Sequence, residues 1–119
     1  RQPYQRVAQF GAAFSVCLMP WLKNEWIEHC NPVKLKEYLA LGKPVVSTPF
    51  PELQRSGSLC FQASGPEAFA EAIDRALRDD HPTEQERRRA WALQHTWDEK
   101  FESVLTLLRE RGIEADAQR

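Results

Sequence analysis

Two rhythms of apolar residues run along this chain. One is the short unbroken run. Phe14-Ser15-Val16-Cys17-Leu18-Met19 is nearly all apolar and stops at Pro20, Val45-Val46 is β-branched, and Leu59-Cys60-Phe61 follows Gly57. Runs of this length and continuity suit strands buried on both faces of a parallel sheet. They predict strands over residues 15–19, 44–47 and 58–61. The other rhythm is helical. Residues 3–13 carry Tyr4, Val7, Ala8 and Phe10 on a rough apolar face, with Gly11 weakening the end. Next, Leu35, Tyr38 and Leu39 share one face while Val33, Ala40 and Leu41 lie roughly opposite. A helix apolar on two faces is covered on two sides. Phe69, Ala72, Ile73, Ala76 and Leu77 form one stripe, and Trp97, Phe101, Val104, Leu105 and Leu108 another, closed by Gly112.

Strand and helix therefore alternate, and the connections are short. That order predicts an α/β class built on right-handed crossovers and a parallel sheet of three strands. Local signals sharpen the ends. Asn31 reads as an N-cap with Pro32 at the first helical position, and Gly42 as a left-handed stop. Pro49-Phe50-Pro51-Glu52 reads as a turn or short helical piece through Leu53, and Ser64-Gly65-Pro66 opens a helix. Thr83 with Glu86, and Thr96 with Glu99, read as capping boxes. Arg87-Arg88-Arg89 shares its helix with Glu84 and Glu86 and reads as a solvated face. Residues 113–119 lack periodicity and read as a fraying tail. In open parallel sheets ligands bind beyond the carboxyl ends of the strands, and the loop over residues 20–31 sits there. Its Trp21, Leu22, Trp26 and Ile27 are interleaved with polar residues, and some local helix is compatible with Trp26, Ile27 and Cys30. The two tryptophans read as packing before they read as platforms for a sugar or base.

Composition excludes more than it assigns. A chain of 119 residues is one domain's worth at most, and 16 Lys+Arg against 17 Asp+Glu favours neither nucleic acid nor a membrane surface as partner. No apolar run is long enough to span a bilayer, and no basic-then-apolar leader opens the chain. The three cysteines include no close pair; Cys17 and Cys60 lie in strand-like runs and read as buried thiols, which fits a reducing cytoplasm. His29 beside Cys30 makes neither a nucleophilic pair, since neighbours project apart, nor a zinc site, since further ligands are missing. Glu37 falls among apolar neighbours and needs a partner. The plainest is a salt bridge to Lys34 or Lys36.

The run Asn31-Pro32-x-Lys34-Leu35-x-Glu37-Tyr38-Leu39-Ala40-x-Gly42-x-Pro44-Val45-Val46 resembles the C-terminal domain of GT-B-fold glycosyltransferases of the retaining group 1 type (family 4-like). The resemblance covers roughly residues 15–77. It implies the second half of a Rossmann-like doubly wound domain, a single partial domain over residues 1–119, with C-terminal helices that brace a separate N-terminal acceptor domain. It also implies an enzyme transferring a hexose from a nucleotide-sugar to an acceptor, with no metal and no other cofactor. Glu37 takes the position that holds the donor's ribose hydroxyls. The amino end of its helix at Val33 and Lys34, beside Asn31, is expected to face the diphosphate. His29 stands where the family usually has a second Glu that contacts the donor sugar, and Pro32 stands in place of a Gly.

Two readings of other classes compete. A nicotinamide enzyme needs a Gly-rich first turn, and no Gly-x-Gly-x-x-Gly occurs. A non-catalytic assembly module derived from a glycosyltransferase is the stronger rival. Under either surviving reading, the edge strand near Val16 and the apolar loop after it are expected to seek cover, and a homo-oligomer of the 119-residue chain would supply it.

Overall fold

The structure, a computed structural model, describes residues 3–113. A 3-10 turn, Tyr4–Arg6, leads into α1, Val7–Ala12, and β1, Cys17–Met19. A one-turn helix α2, Glu25–Glu28, precedes α3, Val33–Ala40, and β2, Val45–Ser47. Helix α4, Pro51–Gln54, and a second 3-10 turn, Gly57–Leu59, lead to β3, Cys60–Gln62. Three helices complete the described chain: α5, Pro66–Arg78, α6, Pro82–Leu93, and α7, Trp97–Glu110. The strands form one parallel sheet in the order β1-β2-β3, an α/β, Rossmann-like arrangement.

Register sorts the side chains. Cys17, Val45 and Cys60 lie level on one face of the sheet, and Leu18, Val46 and Phe61 on the other. Against the first face pack Ile27 of α2, Leu35 and Leu39 of α3, Leu53 of α4 and Ala92 of α6. Against the second pack Ala63, after β3, and Ala72 and Ala76 of α5, with Val16, Phe69 and Ile73 beside them. Helix α5 reaches β2 and β3, and Leu18 on β1 stays 42 % exposed. The strand expected to be apolar and covered on both faces is thus buried on one.

Element existence follows the sequence, and the ends move for identifiable reasons. β3 starts at Cys60 because Ser58 and Leu59 are held in the 3-10 turn, where the Leu59 amide donates to the Ser56 carbonyl at 3.1 Å. Gly42 stops α3 as expected. With φ at 73°, its amide donates to the Leu39 carbonyl (2.9 Å) and the Lys43 amide to that of Tyr38 (3.1 Å), a Schellman closure. Asn31 is not the N-cap. Pro32 sits there with φ −73° and ψ 124°, and the Asn31 Oδ1 instead accepts from Lys36 Nζ. Thr83 does not cap either, because Pro82 takes the first helical position and pushes the cap back to His81. Thr96 does cap, its hydroxyl accepting from the Glu99 amide at 3.3 Å. Asn24 caps α2 through the Ile27 amide at 3.0 Å. The solvated basic face is corrected at Arg88, which is buried where α6 packs against α3. Residues 114–119 of the expected fraying tail lie outside the described residues.

Candidate functional site

The carboxyl ends of β1 and β2 are locked together by short polar bonds. Ser47 is fully buried, and its single hydroxyl proton is within donating reach of the carbonyls of Thr48 (2.8 Å) and Met19 (3.1 Å). The Thr48 hydroxyl accepts from the Trp21 amide at 3.0 Å and donates to the Trp21 carbonyl at 2.8 Å. This clamp fixes the start of the loop over residues 20–31. Trp21 then stacks between Phe50 (centroids 6.0 Å apart) and Trp26 (5.1 Å, planes 13° apart). Trp21 is packed between two rings, whereas Trp26 stacks on Trp21 alone and stays 65 % exposed.

Beyond the loop, α3 begins at the carboxyl end of the sheet and runs back along it. One cleft of about 530 Å³ follows that helix. Its near wall is Asn31, Val33, Lys36, Glu37 and Ala40; its far wall is Ala92, His95, Thr96, Trp97 and Lys100, from the end of α6 and the start of α7. Tyr4 lies at the rim, and its hydroxyl donates to Glu37 Oε1 at 2.8 Å. Glu37 is half-buried and takes this bond rather than a salt bridge to Lys34 or Lys36. The bond first, and then the Glu37 charge, raise the Tyr4 phenol above its ordinary value. Lys36 is lowered, first by burial, then by the nearby Lys100 and Arg55 cations, with Glu52 and Cys30 acting against them. On the far wall His95 stacks on Trp91, ring centroids 3.7 Å apart, with Nδ1 2.7 Å from the Trp91 carbonyl.

A second hollow of about 500 Å³ lies between the end of α2 and α4. His29, Cys30 and Asn31 form one side, and Pro51, Glu52 and Arg55 the other. The expected site residues are therefore divided. Asn31, Val33 and Glu37 share the first cleft, His29 lines the second, and Asn31 borders both. Lys34 is exposed and lines neither. Among the described residues no three His, Cys, Asp or Glu side chains group in a way that holds a metal ion, and no helix is long and apolar enough to cross a membrane.

A family model described as glycosyl transferases group 1 matches residues 2–79, well over half of the chain. The chain belongs to the group 1 glycosyltransferases. No curated protein and no solved structure matches it. In this glycosyltransferase domain the match takes in α3, the whole sheet and α5, and stops before α6. The near wall of the first cleft thus belongs to the shared family segment, and the far wall lies outside it. The sequence placed Tyr4 on an apolar helix face and offered Lys36 as a salt-bridge partner of Glu37, and it gave no sign that His95 and Lys100 line the same cleft. His95 follows Trp91 at helical spacing, which puts both on one face, but nothing in the sequence says that face looks onto Glu37.

Proposed function

We propose that this glycosyltransferase domain is the donor-binding part of a GT-B-fold, retaining enzyme, and that Glu37 accepts hydrogen bonds from the ribose hydroxyls of a nucleotide-sugar. The observation that carries this is the Tyr4 hydroxyl already seated on Glu37 Oε1 at 2.8 Å, at a cleft of about 530 Å³. A carboxylate with further lone pairs, in a cleft of ligand size, accepting from a hydroxyl, is equipped to accept from a sugar's hydroxyls. The first-turn amides of Val33 and Lys34 have no carbonyl one turn back within α3, and with the helix dipole they favour the diphosphate, next to Asn31. Lys34 contributes charge from outside the clefts. His29, across Asn31 in the second hollow, takes the donor sugar, a hexose. The acceptor is held by a separate N-terminal domain, transfer requires no metal or other cofactor, and the enzyme works in the cytoplasm.

The test is calorimetric titration of nucleoside diphosphates into the full-length protein. Saturable binding is expected, weakened in Glu37→Ala by roughly 1.5–3 kcal/mol, the value of a hydrogen bond to a charged group. Unchanged affinity in that variant would leave Glu37 a surface carboxylate. His29→Ala is expected to lower turnover more than nucleotide affinity, and equal losses would remove His29 from the sugar. The assembly-module reading draws on the bare apolar face of α7 and forecasts no saturable signal at all.

A further inference from the structure

We infer that His95 and Lys100, on the far wall of the Glu37 cleft, are specificity-determining contacts for the anionic, hydroxylated part of the ligand. The inference rests on the donor-binding reading and extends it to residues outside the family segment.

Charge comes first. Glu37 is the one carboxylate among the cleft's lining residues, whereas Lys36 and Lys100 both contribute ammonium groups. The chain as a whole carries a net charge of −1, so this local excess of cations runs against the average. Two like charges facing one hollow repel, and an anion between them relieves that repulsion. Lys36 is lowered chiefly by its own burial, and Lys100 adds to the effect. Only Lys36 has a partner, Asn31 Oδ1; the Lys100 ammonium has none among the described residues.

His95 adds direction. A carbonyl oxygen can only accept, so the 2.7 Å contact to the Trp91 carbonyl places a proton on Nδ1. The stack on Trp91 holds the ring plane. In the neutral ring Nε2 is then an acceptor with no protein partner among the described residues, on a side chain that lines the cleft. A fixed acceptor opposite a carboxylate suits a ligand rich in hydroxyl or N–H groups. Lys100 supplies the charge that matches a phosphate. A nucleoside diphosphate combines these features. With the near wall inside the matched family segment and the far wall outside it, discrimination among such ligands falls to the far wall.

The experiment compares uridine, adenosine and guanosine diphosphates by calorimetry at two salt concentrations, in full-length wild type, His95→Phe and Lys100→Gln. His95→Phe keeps an aromatic ring against Trp91. Lys100→Gln changes an exposed side chain, so it keeps the test open if the first variant misfolds. Lys100→Gln is expected to weaken all three nucleotides about tenfold and to flatten the salt dependence. His95→Phe is expected to change the ratio of affinities among the bases or sugars, beyond any shift in melting temperature. Wild-type affinities, ratios and salt slope in both variants, with loss of binding in Glu37→Ala, would overturn the inference and leave the donor-binding reading standing. No saturable binding by wild type would overturn that reading, and this inference with it.

Discussion

Arg88 is only 2 % exposed, yet its guanidinium is charged, so its surroundings must supply acceptors. Nη1 donates to Asp80 Oδ1 at 2.6 Å and to the Gly42 carbonyl at 3.0 Å, while the buried Nε finds no partner. One side chain thereby ties α6 to the turn that ends α3. Arg88→Ala would leave the Gly42 carbonyl without its side-chain donor and Asp80 with only the Gln85 amide, which donates to Oδ2 at 3.0 Å. Breaking such a pair typically costs about 3–5 kcal/mol, and the low end is expected because Asp80 keeps some solvent access; denaturant melts measure it. The sequence concealed this residue inside an arginine triplet. Consecutive helical residues point about 100° apart, so a packed helix buries only some of three. The spacing to Ala92 was the available sign, since Arg88 and Ala92 lie four apart and are the buried residues of α6. Tyr4 and Glu37, 33 residues apart, offered no sign at all. Their bond makes a direct forecast: Tyr4 is expected to ionise above an ordinary phenol, and Glu37→Ala to bring it back down. Ultraviolet titration of the tyrosinate band reads this. Identical curves for wild type and variant would mean that the bond does not form in solution.

Among the elements, α3 and the strand after it were the most legible, because several local signals agreed there. Gly42 with a positive φ, the Schellman closure and the β-branched Val45-Val46 all point the same way. Gly42→Ala is expected to destabilise by about 1–2 kcal/mol, the cost of a left-handed non-Gly residue. Its Cβ would also lie 2.9 Å from Arg89 Cζ. A thermal melt with no shift would show that the turn relaxes freely. The caps of α3 and α6 were misplaced by one and two residues because a Pro competes with the preceding or following polar residue for the first turn. Strand burial carries a second forecast. Cys17 and Cys60 flank Val45 on the covered face, and burial pushes both thiols from an ordinary 9.0 to about 11. The unfolded chain releases those protons near 9 while the folded one retains them. Their contribution to stability is therefore complete below pH 9 and lost between 9 and 11. Unfolding curves at pH 8 and 10.5 test the sign, and the pH slope is expected to shrink in the Cys17→Ala, Cys60→Ala double variant. Under native conditions half-buried Cys30 should be alkylated first.

Taken whole, the α/β class and its parallel sheet were readable because strand runs and helical stripes alternate. What covers the outermost surfaces was not, since amphipathic spacing shows that a face needs a partner but not where the partner lies. Helix α7 has its apolar stripe as expected, yet Trp97 is 83 % exposed, and Phe101, Val104 and Leu107 are also bare. Among the described residues β1 is a sheet edge bonded to β2 alone, and Leu18, Phe14 and Phe10 are exposed. Helix α1 packs through Gly11 onto Leu41, close enough that a Cβ on Gly11 would lie 2.4 Å from Leu41 Cδ1. The radius of gyration, 17.0 Å, exceeds the roughly 13.5 Å of a compact chain of this length. An unpaired edge and a bare stripe of this kind invite another surface, which in a larger enzyme is a neighbouring domain and for the 119-residue chain alone is a second copy. Light scattering over a concentration series is therefore expected to rise above the monomer mass of 13.8 kDa. Charges placed on the stripe, Trp97→Glu with Phe101→Lys, should return the mass to monomer if α7 carries the contact, and leave it unchanged if the β1 edge does. Constant monomer mass, together with exchange protection of the β1 amides, would show that the chain covers its own edge and would end the self-association argument.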